Sequence, residues 1–422
     1  MQIYLVGGAV RDKLLGLKEY DRDYVVTGAV PQELLAKGFK QVGKDFPVFL
    51  HPKTHEEYAL ARTERKSGHG YTGFICDFSP EVTLEEDLKR RDLTINAIAE
   101  DENGQIIDPC GGASDLKNRI LRHVSPAFEE DPLRVLRAAR FAAKLSPMGF
   151  SIAPETLELM HKMSLSGELN ALTPERVWIE TEKALKTDAP QVYFEVLHQC
   201  GALGCILPEL EALSGVPGPA KWHPEIDTFV HVMLTLKAVA KLTRDLPTRF
   251  AMLCHDLGKA LTPRECWPHH KGHDELGLKP LKALCTRLHV PRDYADLAAA
   301  VMRCHSDFHH LDKNGPEGVV AVFEKLDAFR RPQRLQPWLD CCAGDFLGRK
   351  GFEHLHFERP HYVKRIFEAA AAVNAAPFVA AGLKGPAVAQ AVHEARVRVC
   401  AEVMAHLPED ALNDRRPPKL PN

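Results

Sequence analysis

The chain has 422 residues, of which 45% are hydrophobic, so it can bury a substantial core and global disorder is excluded. Its 54 Lys and Arg residues stand against 57 Asp and Glu residues, which leaves a net charge of −3. This balance does not indicate a uniformly basic nucleic-acid-binding protein, so any RNA site must be a local basic patch.

Eleven cysteines are scattered along the chain without a C-x-x-C pair, which predicts reduced thiols in a cytoplasmic protein and not a disulfide framework. The N-terminus enters an apolar run at once and meets charge by Arg11, so we expect no signal peptide. No apolar run approaches the roughly 20 residues of a membrane helix, so we expect no membrane partner.

The N-terminal stretch reads as strand, glycine turn, helix and strand. Ile3–Val6 is a short apolar run, Gly7-Gly8 follows, and a helix-like segment ends near Gly16. Asp21 and Asp23 lie just before a second β-rich run, Tyr24–Thr27, and alternation along a strand would point both carboxylates the same way. Such a pair, with phosphate oxygens, suits Mg²⁺. The glycines permit close approach of backbone N–H groups to an anion, and Arg11 adds a cation for phosphate.

Further strands at Val48–Leu50, Tyr58–Arg62 and Ile106–Asp108 predict an α/β head over the first 110 residues or so. Glu57 is either a third active-site carboxylate or a surface residue at a strand end. The glycine-rich segment at 64–74 is either a mobile loop over a ligand or a plain connection.

Two later segments carry arginines in a nucleotide-binding context. Lys89 to Asn96 is predicted to begin a helix after an acidic segment, and Arg91 and Asn96 could reach a nucleotide there. Asp131-Pro132 suits a helix start. Beyond it, basic residues recur every three positions and lie beside apolar ones, close to a buried face. They are Arg134, Arg137 and Arg140.

From Pro126 onward the apolar spacing is helical, and we find no convincing strand. The fold class is therefore α+β. Residues 207–224, rich in Pro and Gly, read as a linker or long loop, and residues 413–422 are expected to be disordered.

A block of histidines and aspartates lies in the second half of the chain. His255-Asp256 falls within an apolar helical segment, where the pair costs free energy unless it is paired or metal-bound. His231 lies upstream, and His273, His305 and Asp345 lie downstream. Asp307 could replace Asp345, and His269 and His270 have no matched role.

The motifs together resemble known families. LVGGAVRD followed by DRDYVV resembles the nucleotidyltransferase motif of the polymerase-β superfamily, and more narrowly the bacterial tRNA nucleotidyltransferase and poly(A) polymerase family. RRD-x-x-x-N-A and EEDPLRVLRAARF are similar to later motifs of that family. The histidine–aspartate block resembles the HD phosphohydrolase superfamily, whose ligands bind a divalent metal for phosphate-ester hydrolysis. The order of these parts looks like that of class II CCA-adding proteins with an HD domain.

That resemblance implies a head at 1–125, a helical neck at 126–225, an HD domain at 226–330, a helical body at 331–412 and a tail at 413–422. It implies two-metal nucleotidyl transfer to tRNA from CTP and ATP, together with 2′,3′-cyclic phosphodiesterase, 2′-nucleotidase and phosphatase activities, in a monomer or homodimer. The implied Mg²⁺ ligands are Asp21 and Asp23. The implied nucleotide-binding residues are Gly8, Arg11, Arg91, Asp131, Arg134, Arg137 and Arg140, with Asp131 and Arg134 selecting the base. The implied HD-site ligands, for Mg²⁺ or Ni²⁺, are His231, His255, Asp256, His273, His305 and Asp345. The alternatives are a poly(A) polymerase and an HD phosphohydrolase with a nucleotide-binding head.

Overall fold

The computed structural model of the chain describes residues 1–18, 22–42, 48–66, 74–408 and 411–412. Asp21, most of the glycine-rich segment at 64–74 and the tail at 413–422 lie outside these residues. The chain forms two units. The first comprises Met1–Ala184 and Val192–Ile206, and the second comprises Leu185–Gln191 and Leu207–Asn422.

Every strand of the described residues lies in the first unit. Its strands are β1 (Gln2–Val6), β2 (Asp23–Thr27), β3 (Lys40–Val42), β4 (Val48–Leu50), β5 (Glu57–Leu60), β6 (Thr63–Lys66), β7 (Phe74–Asp77), β8 (Ala99–Glu100), β9 (Ile106–Ile107), β10 (Ile120–Leu121) and β11 (Ser151–Ile152). Seven of them form a mixed sheet in the order β3-β4-β5-β2-β1-β8-β9, in which β2 and β5 are parallel. Strands β6 and β7 pair antiparallel, and β10 and β11 pair parallel.

Consecutive side chains of the central strand, β2, point to opposite faces of the sheet, and on both faces they are buried. Val25 packs in a cluster with Val6 and Leu88, whereas Val26 packs with Leu34 and Phe49. All six side chains are at most 2% exposed. The central strand is therefore held on both faces, and this fixes the position of Asp23, the first residue of that strand.

The first unit also contains the helices α1 (Gly8–Leu14), α2 (Pro31–Ala36), α3 (Leu84–Lys89), α4 (Gly112–Asn118), α5 (Leu133–Leu145), α6 (Pro154–Leu165), α7 (Pro174–Leu185), α8 (Gln191–Gln199) and α9 (Leu203–Ile206). The α+β class predicted from the sequence is confirmed. All five predicted strands are present, each within two residues of the expected bounds.

The helix predicted to begin at Lys89 is wrong, because α3 ends there. Its start is fixed earlier by a capping box: Thr83 Oγ1 accepts from Glu86 N, and Glu86 Oε2 accepts from Thr83 N. After Arg90 the chain turns, and Asp92 Oδ1 accepts from the neighbouring Leu93 N, a local bond that competes with helix.

The expectation of no strand beyond Pro126 is also wrong, since β11 follows α5. It has only two residues and pairs with β10, so it carries too little sequence for a period-two signal. The segment at 207–224, which reads as a linker or long loop, is mostly irregular but is not devoid of structure. It contains the short helix α10 (Pro208–Glu211), and Leu207, Leu210 and Leu213 are buried there.

The remaining helices of the second unit are α11 (Thr228–Leu242), α12 (Leu246–Cys254), α13 (His273–Leu276), α14 (Leu278–Arg287), α15 (Arg292–Phe308), α16 (Leu311–Lys325, kinked at Gly315), α17 (Leu335–Leu347), α18 (Arg359–Ala371), α19 (Ala376–Ala380) and α20 (Pro386–Ala405). Aspartate side chains cap α11 and α12, the two helices with which the histidine–aspartate block begins. Asp227 accepts from Val230 N and Asp245 accepts from Thr248 N, which satisfies N–H groups that the helix itself leaves unpaired. No described helix is long and apolar enough to cross a membrane.

A fully buried arginine ties several backbone segments of the second unit together. Arg249, in α12, donates from Nε to Thr243 O at 2.9 Å and from Nη2 to Ala240 O at 2.8 Å. Its Nη1 donates to Leu185 O at 2.5 Å and to Thr187 O at 2.8 Å. The guanidinium thus satisfies four carbonyl groups, so its removal leaves buried acceptors without a donor.

We expect Arg249→Met to lower the free energy of unfolding by about 3 kcal/mol or more, because the methionine fills the space but donates nothing. The matched control is Arg244→Met. Arg244 is 71% exposed and pairs with Asp188, so it should cost less than about 1 kcal/mol. Denaturant unfolding of both variants checks this, and equal losses would show that the buried bonds do not stabilise the fold.

Candidate functional site

Carboxylates gather where three strands of the first unit meet the solvent. The strand register pairs Asp23 with Val6, the last residue of β1, and with Glu57, the first residue of β5. Asp23 and Glu57 are exposed and line a cavity of about 810 Å³. Strand β2 begins at Asp23, and Asp21 lies outside the described residues.

The glycine turn after β1 lies on the wall of this cavity. Gly7 has φ +70°, a conformation that an L-residue rarely adopts, and a Cβ there would approach Arg91 Nη1 to 3.1 Å. Gly8 follows as the first residue of α1, and both glycines line the cavity. The turn therefore brings backbone close to Arg91 because no side chain intervenes.

A fully buried carboxylate holds two arginines that line the cavity. Asp87 Oδ1 lies 2.6 Å from Arg90 Nη2, and Asp87 Oδ2 lies 3.1 Å from Arg91 Nη2. Although burial opposes ionisation, the two guanidinium groups hold the pKa of Asp87 below its ordinary value. Both arginines thus have a fixed direction before any ligand arrives.

A second buried carboxylate, Asp92, connects the head to α5. Its Oδ2 lies 2.7 Å from Nε and from Nη2 of Arg137, and its Oδ1 accepts from Asn96 Nδ2 at 3.0 Å. Asn96 Oδ1 in turn accepts from Arg11 Nη1 at 2.6 Å. Burial opposes ionisation of Asp92, yet Arg137 and the hydrogen bond from Asn96 hold its pKa well below the ordinary value.

Asp131 and Arg134 both line the cavity but take different partners. Asp131 Oδ1 accepts from Leu133 N at 3.0 Å, and Oδ2 accepts from Arg176 Nη2 at 2.9 Å. Arg134 Nη1 donates to Ala127 O at 2.5 Å. Both predicted base-selecting residues therefore line the same cavity, and each is held by different hydrogen-bond partners.

An aromatic ring lies among the cavity arginines. The guanidinium carbons of Arg140, Arg11 and Arg137 lie 4.3, 5.1 and 5.7 Å from the centre of the Phe141 ring. Arg140 Nε also donates to Glu180 Oε2 at 2.5 Å. The sequence reasoning missed Arg176 and Glu180, which lie on α7 and are visible only once that helix packs against α5.

The described side chains that line the cavity are mainly cationic. Ten are basic and five acidic. The basic ones are Arg11, Arg62, Arg90, Arg91, Arg134, Arg137, Arg140, Lys144, Arg176 and Lys183. The acidic ones are Asp12, Asp23, Glu57, Asp92 and Asp131. This excess of positive charge within a walled cavity favours a polyanionic ligand such as a triphosphate.

The second unit gathers six predicted residues into one buried group, called here the His–Asp cluster: His231, His255, Asp256, His273, His305 and Asp345. They come from α11, from the two residues directly after α12, and from α13, α15 and α17. Asp256 lies at the centre. Its Oδ2 is 3.2 Å from His255 Nε2, and its Oδ1 is 3.4 and 3.6 Å from Nε2 of His273 and His305. His231 Nε2 is 3.0 Å from Asp345 Oδ1.

Three of these imidazoles are oriented by backbone carbonyl groups. Nδ1 of His255, His273 and His305 lies 2.7, 2.9 and 2.9 Å from the carbonyl oxygen three residues earlier. A carbonyl only accepts, so each Nδ1 must carry the proton. Each Nε2 is therefore the ring nitrogen that faces the carboxylates and is available to a cation.

Several polar atoms of the His–Asp cluster fit a bound metal ion. Nε2 of His231 and His255, both oxygens of Asp256 and Oδ1 of Asp345 are buried without a well-formed hydrogen bond to any described residue. Imidazole nitrogens and carboxylate oxygens that converge in this way are a normal ligand set for a divalent transition metal. Unmet buried polar atoms cost free energy, which a coordinated cation would recover.

The charge state of the cluster also favours a cation. Burial opposes ionisation of Asp256, but His255 and Lys259 hold its pKa well below the ordinary value. The Lys259 ammonium lies 2.7 Å from Asp256 Oδ2. Burial lowers the pKa of His305, yet the carboxylates of Asp256 and Asp274 raise it to about 9. The cluster therefore attracts positive charge, as a proton or as a metal.

The structure separates the candidates that the sequence left open. Asp307 forms an ion pair with Lys325 at 2.9 Å and is not in the His–Asp cluster, whereas Asp345 is. His269 is exposed. His270 is buried between Thr262 Oγ1 and Pro217 O at 2.6 and 2.8 Å, which is a packing role. The sequence reasoning missed three buried or half-buried neighbours, namely Glu225, Lys259 and His309.

Comparisons with protein families find three domains in the chain. Residues 3–122 match the poly(A) polymerase head domain, residues 149–213 match the probable RNA- and SrmB-binding site of polymerase A, and residues 228–331 match the HD domain. The arginine-lined cavity draws residues from the head match and from the segment after it. The HD match includes His231 to His305 but ends before Asp345.

Solved structures of CCA-adding enzymes are similar to nearly the whole chain. A complex with ATP has a TM-score of 0.64 at 20% identity and covers 99% of this chain and 91% of its own. A complex with CTP gives 0.62 at 21% identity, with 96% and 90% covered. The Thermotoga maritima enzyme complexed with tRNA gives 0.59 at 19% identity, with 96% and 92% covered.

The chain has the fold of the solved CCA-adding enzymes, and it contains the matches to the poly(A) polymerase head domain and to the HD domain in that order. The resemblance predicted from the motifs is thereby confirmed. At these identities the structural comparisons establish the fold, and the roles of the individual residues rest on the geometry given above.

Proposed function

We propose that the protein adds or repairs the 3′-terminal CCA of tRNA from CTP and ATP without a nucleic-acid template. The observation that carries this proposal is the arginine-lined cavity. It is lined both by the carboxylates at the strand ends and by Arg134 of α5. Solved structures with this fold include complexes with CTP, ATP and tRNA, which supports the same ligands here.

Asp23, with Asp21 and Glu57 as further carboxylates, would hold Mg²⁺ at the sheet edge, where the ion would neutralise phosphate charge and aid nucleotidyl transfer. The cavity arginines would bind the triphosphate and orient its α-phosphate. The tRNA 3′-hydroxyl would lose its proton to water as its oxygen bonds to the α-phosphorus. The bond from that phosphorus to the bridging oxygen would break, and pyrophosphate would leave.

Base choice without a nucleic-acid template follows from the hydrogen-bonding groups of Asp131 and Arg134. C and A each present an amino donor beside a ring-nitrogen acceptor, whereas U and G present a carbonyl beside a ring N–H. A carboxylate accepts and a guanidinium only donates, so this pair matches C and A and leaves U and G with opposed groups. Sites built to hydrogen-bond a ligand strongly reject analogues that cannot pair.

We propose a second activity, phosphohydrolysis, at the His–Asp cluster, acting as 2′,3′-cyclic phosphodiesterase, 2′-nucleotidase and phosphatase. Mg²⁺ or Ni²⁺ held by His231, His255, Asp256 and Asp345 would polarise the phosphate and lower the pKa of water. The buried ligand atoms that lack a well-formed hydrogen bond to any described residue support this assignment. The described cysteines form no disulfide bond with one another, which supports a reducing location such as the cytoplasm.

The first test supplies tRNA lacking CCA with each labelled nucleoside triphosphate, singly and in pairs, and sequences the 3′ end. We expect CCA from the wild type. Asp21→Ala or Asp23→Ala should reduce addition far more than the tenfold that corresponds to about 1.4 kcal/mol, because a metal ligand is lost. A long A-tail would show a poly(A) polymerase instead, and no incorporation would leave a phosphohydrolase with a nucleotide-binding head.

Asp131→Ala and Arg134→Ala should each lose about 1–3 kcal/mol of the preference for CTP and ATP over UTP and GTP, since a partner for the base is removed. Single-turnover incorporation of all four nucleotides measures this ratio. Arg137→Ala is the control, because Arg137 is anchored by Asp92 outside this pair and should weaken all four more evenly. An unchanged CTP-to-UTP ratio in both test variants would show that the pair binds nucleotide without reading the base.

The two activities should be separable, because the arginine-lined cavity and the His–Asp cluster lie in different units. We expect His255→Ala to abolish metal-dependent 2′,3′-cyclic phosphodiesterase activity and to spare CTP and ATP addition. Both activities are measured on the same folded preparation. Equal loss of both would contradict the assignment of separate sites.

A further inference from the structure

Glu225 directly follows the Pro- and Gly-rich segment at 207–224. Its buried carboxylate contacts Nδ1 of His231, the ring nitrogen that points away from the other residues of the His–Asp cluster. The side chain is 1% exposed. Its Oε1 lies 2.8 Å from His231 Nδ1 and 3.2 Å from His223 Nδ1, and its Oε2 accepts from Lys350 N at 3.2 Å. A buried carboxylate in such a position needs a specific partner to offset its desolvation.

His231 differs in this respect from the other imidazoles of the cluster. The Nδ1 atoms of His255, His273 and His305 face backbone carbonyl groups, whereas that of His231 faces a carboxylate. A charged acceptor gives a stronger hydrogen bond, and it makes the opposite ring nitrogen more basic and therefore a better metal ligand. That nitrogen, His231 Nε2, lies 3.0 Å from Asp345 and 3.8 Å from Asp256.

We propose that Glu225 is a positioning residue for the divalent metal of the second unit, and that it acts by fixing the ring orientation and tautomer of His231. The inference rests on the phosphohydrolase site proposed above. Glu225 does not touch the substrate or the central Asp256. It holds the protonated Nδ1 so that Nε2 points at the carboxylates, and it adds a negative charge behind the ligand.

A competing arrangement would place the cation among His223, Glu225 and His231 themselves, because their ligand atoms also lie within 4.8 Å of one another. In that case His223 would be needed as much as Glu225. In our assignment His223 only shares the carboxylate with His231. The two arrangements therefore differ in the effect of removing His223.

The test measures Ni²⁺ affinity of the full chain by calorimetry at neutral pH, with excess Mg²⁺ to saturate the oxygen-ligand site of the first unit. Imidazole-rich sites favour Ni²⁺ over Mg²⁺. His255→Ala defines the signal that belongs to the cluster and not to other histidines. The variants are Glu225→Ala, Glu225→Gln and His223→Ala. The matched control is Glu353→Gln, an exposed carboxylate that accepts from Gly351 N.

We expect Glu225→Ala to weaken Ni²⁺ binding about 10–100-fold, as loss of such a partner does elsewhere. Glu225→Gln keeps the volume and one acceptor but removes the charge, so it should weaken Ni²⁺ binding by a smaller factor at an unchanged melting temperature. His223→Ala and Glu353→Gln should stay within about threefold of wild type.

Three results are distinguishable from this pattern. No cluster-dependent Ni²⁺ binding by the wild type would overturn the proposed phosphohydrolase site itself. Wild-type affinity in folded Glu225→Ala and Glu225→Gln would overturn only the positioning role. Equal loss in His223→Ala and Glu225→Ala would overturn it in favour of a cation among His223, Glu225 and His231.

Discussion

The ion pair between Asp92 and Arg137 is the contact on which the arginine-lined cavity depends. Asp92 is 6% exposed and uses both oxygens, one for Arg137 and the other for Asn96, which in turn holds Arg11. Breaking a buried pair of this kind by removing one partner typically costs about 3–5 kcal/mol, because the other charge is left unpaired. One carboxylate thus fixes side chains from α1, from the turn after α3 and from α5.

The His–Asp cluster follows the opposite electrostatic arrangement. In the first unit, guanidinium groups already offset the buried carboxylates Asp87 and Asp92, so the cavity presents its remaining cations to an anion. In the second unit, the Lys259 ammonium contacts one oxygen of Asp256, and both oxygens of this carboxylate also face imidazole nitrogens whose other ring nitrogen is bonded elsewhere. A bound cation would stabilise such a cluster, and metal binding would then be coupled to the stability of this unit. The two sites suit opposite ligands because their buried charges are balanced differently.

Local sequence patterns predicted many of the elements and site residues of this structure. They did not predict residues that meet only through packing between distant segments. Asp23 and Arg134 were accessible from the sequence because each belongs to a motif with fixed spacing beside an element boundary. Arg176 was not, since it lies more than forty residues from Asp131 and meets it only through helix packing. Glu225 was missed for a related reason: Pro and Gly nearby indicate a loop, and nothing local shows that this loop packs on α11. The choice of Asp345 over Asp307 likewise required the packing of α17.

The separate hydrogen-bond partners of Asp131 and Arg134 would allow a short motif to read a base in the way proposed above. An aspartate and an arginine three residues apart on a helix often form an ion pair, which would occupy both groups. Here Asp131 is held by Leu133 N and Arg176, and Arg134 is held by Ala127 O. A carboxylate has about four lone-pair positions and a guanidinium five N–H donors, so each retains capacity after its anchor is made. Discrimination by unmatched polar groups also requires that neither side chain can turn to suit the wrong base, and the anchors supply that rigidity.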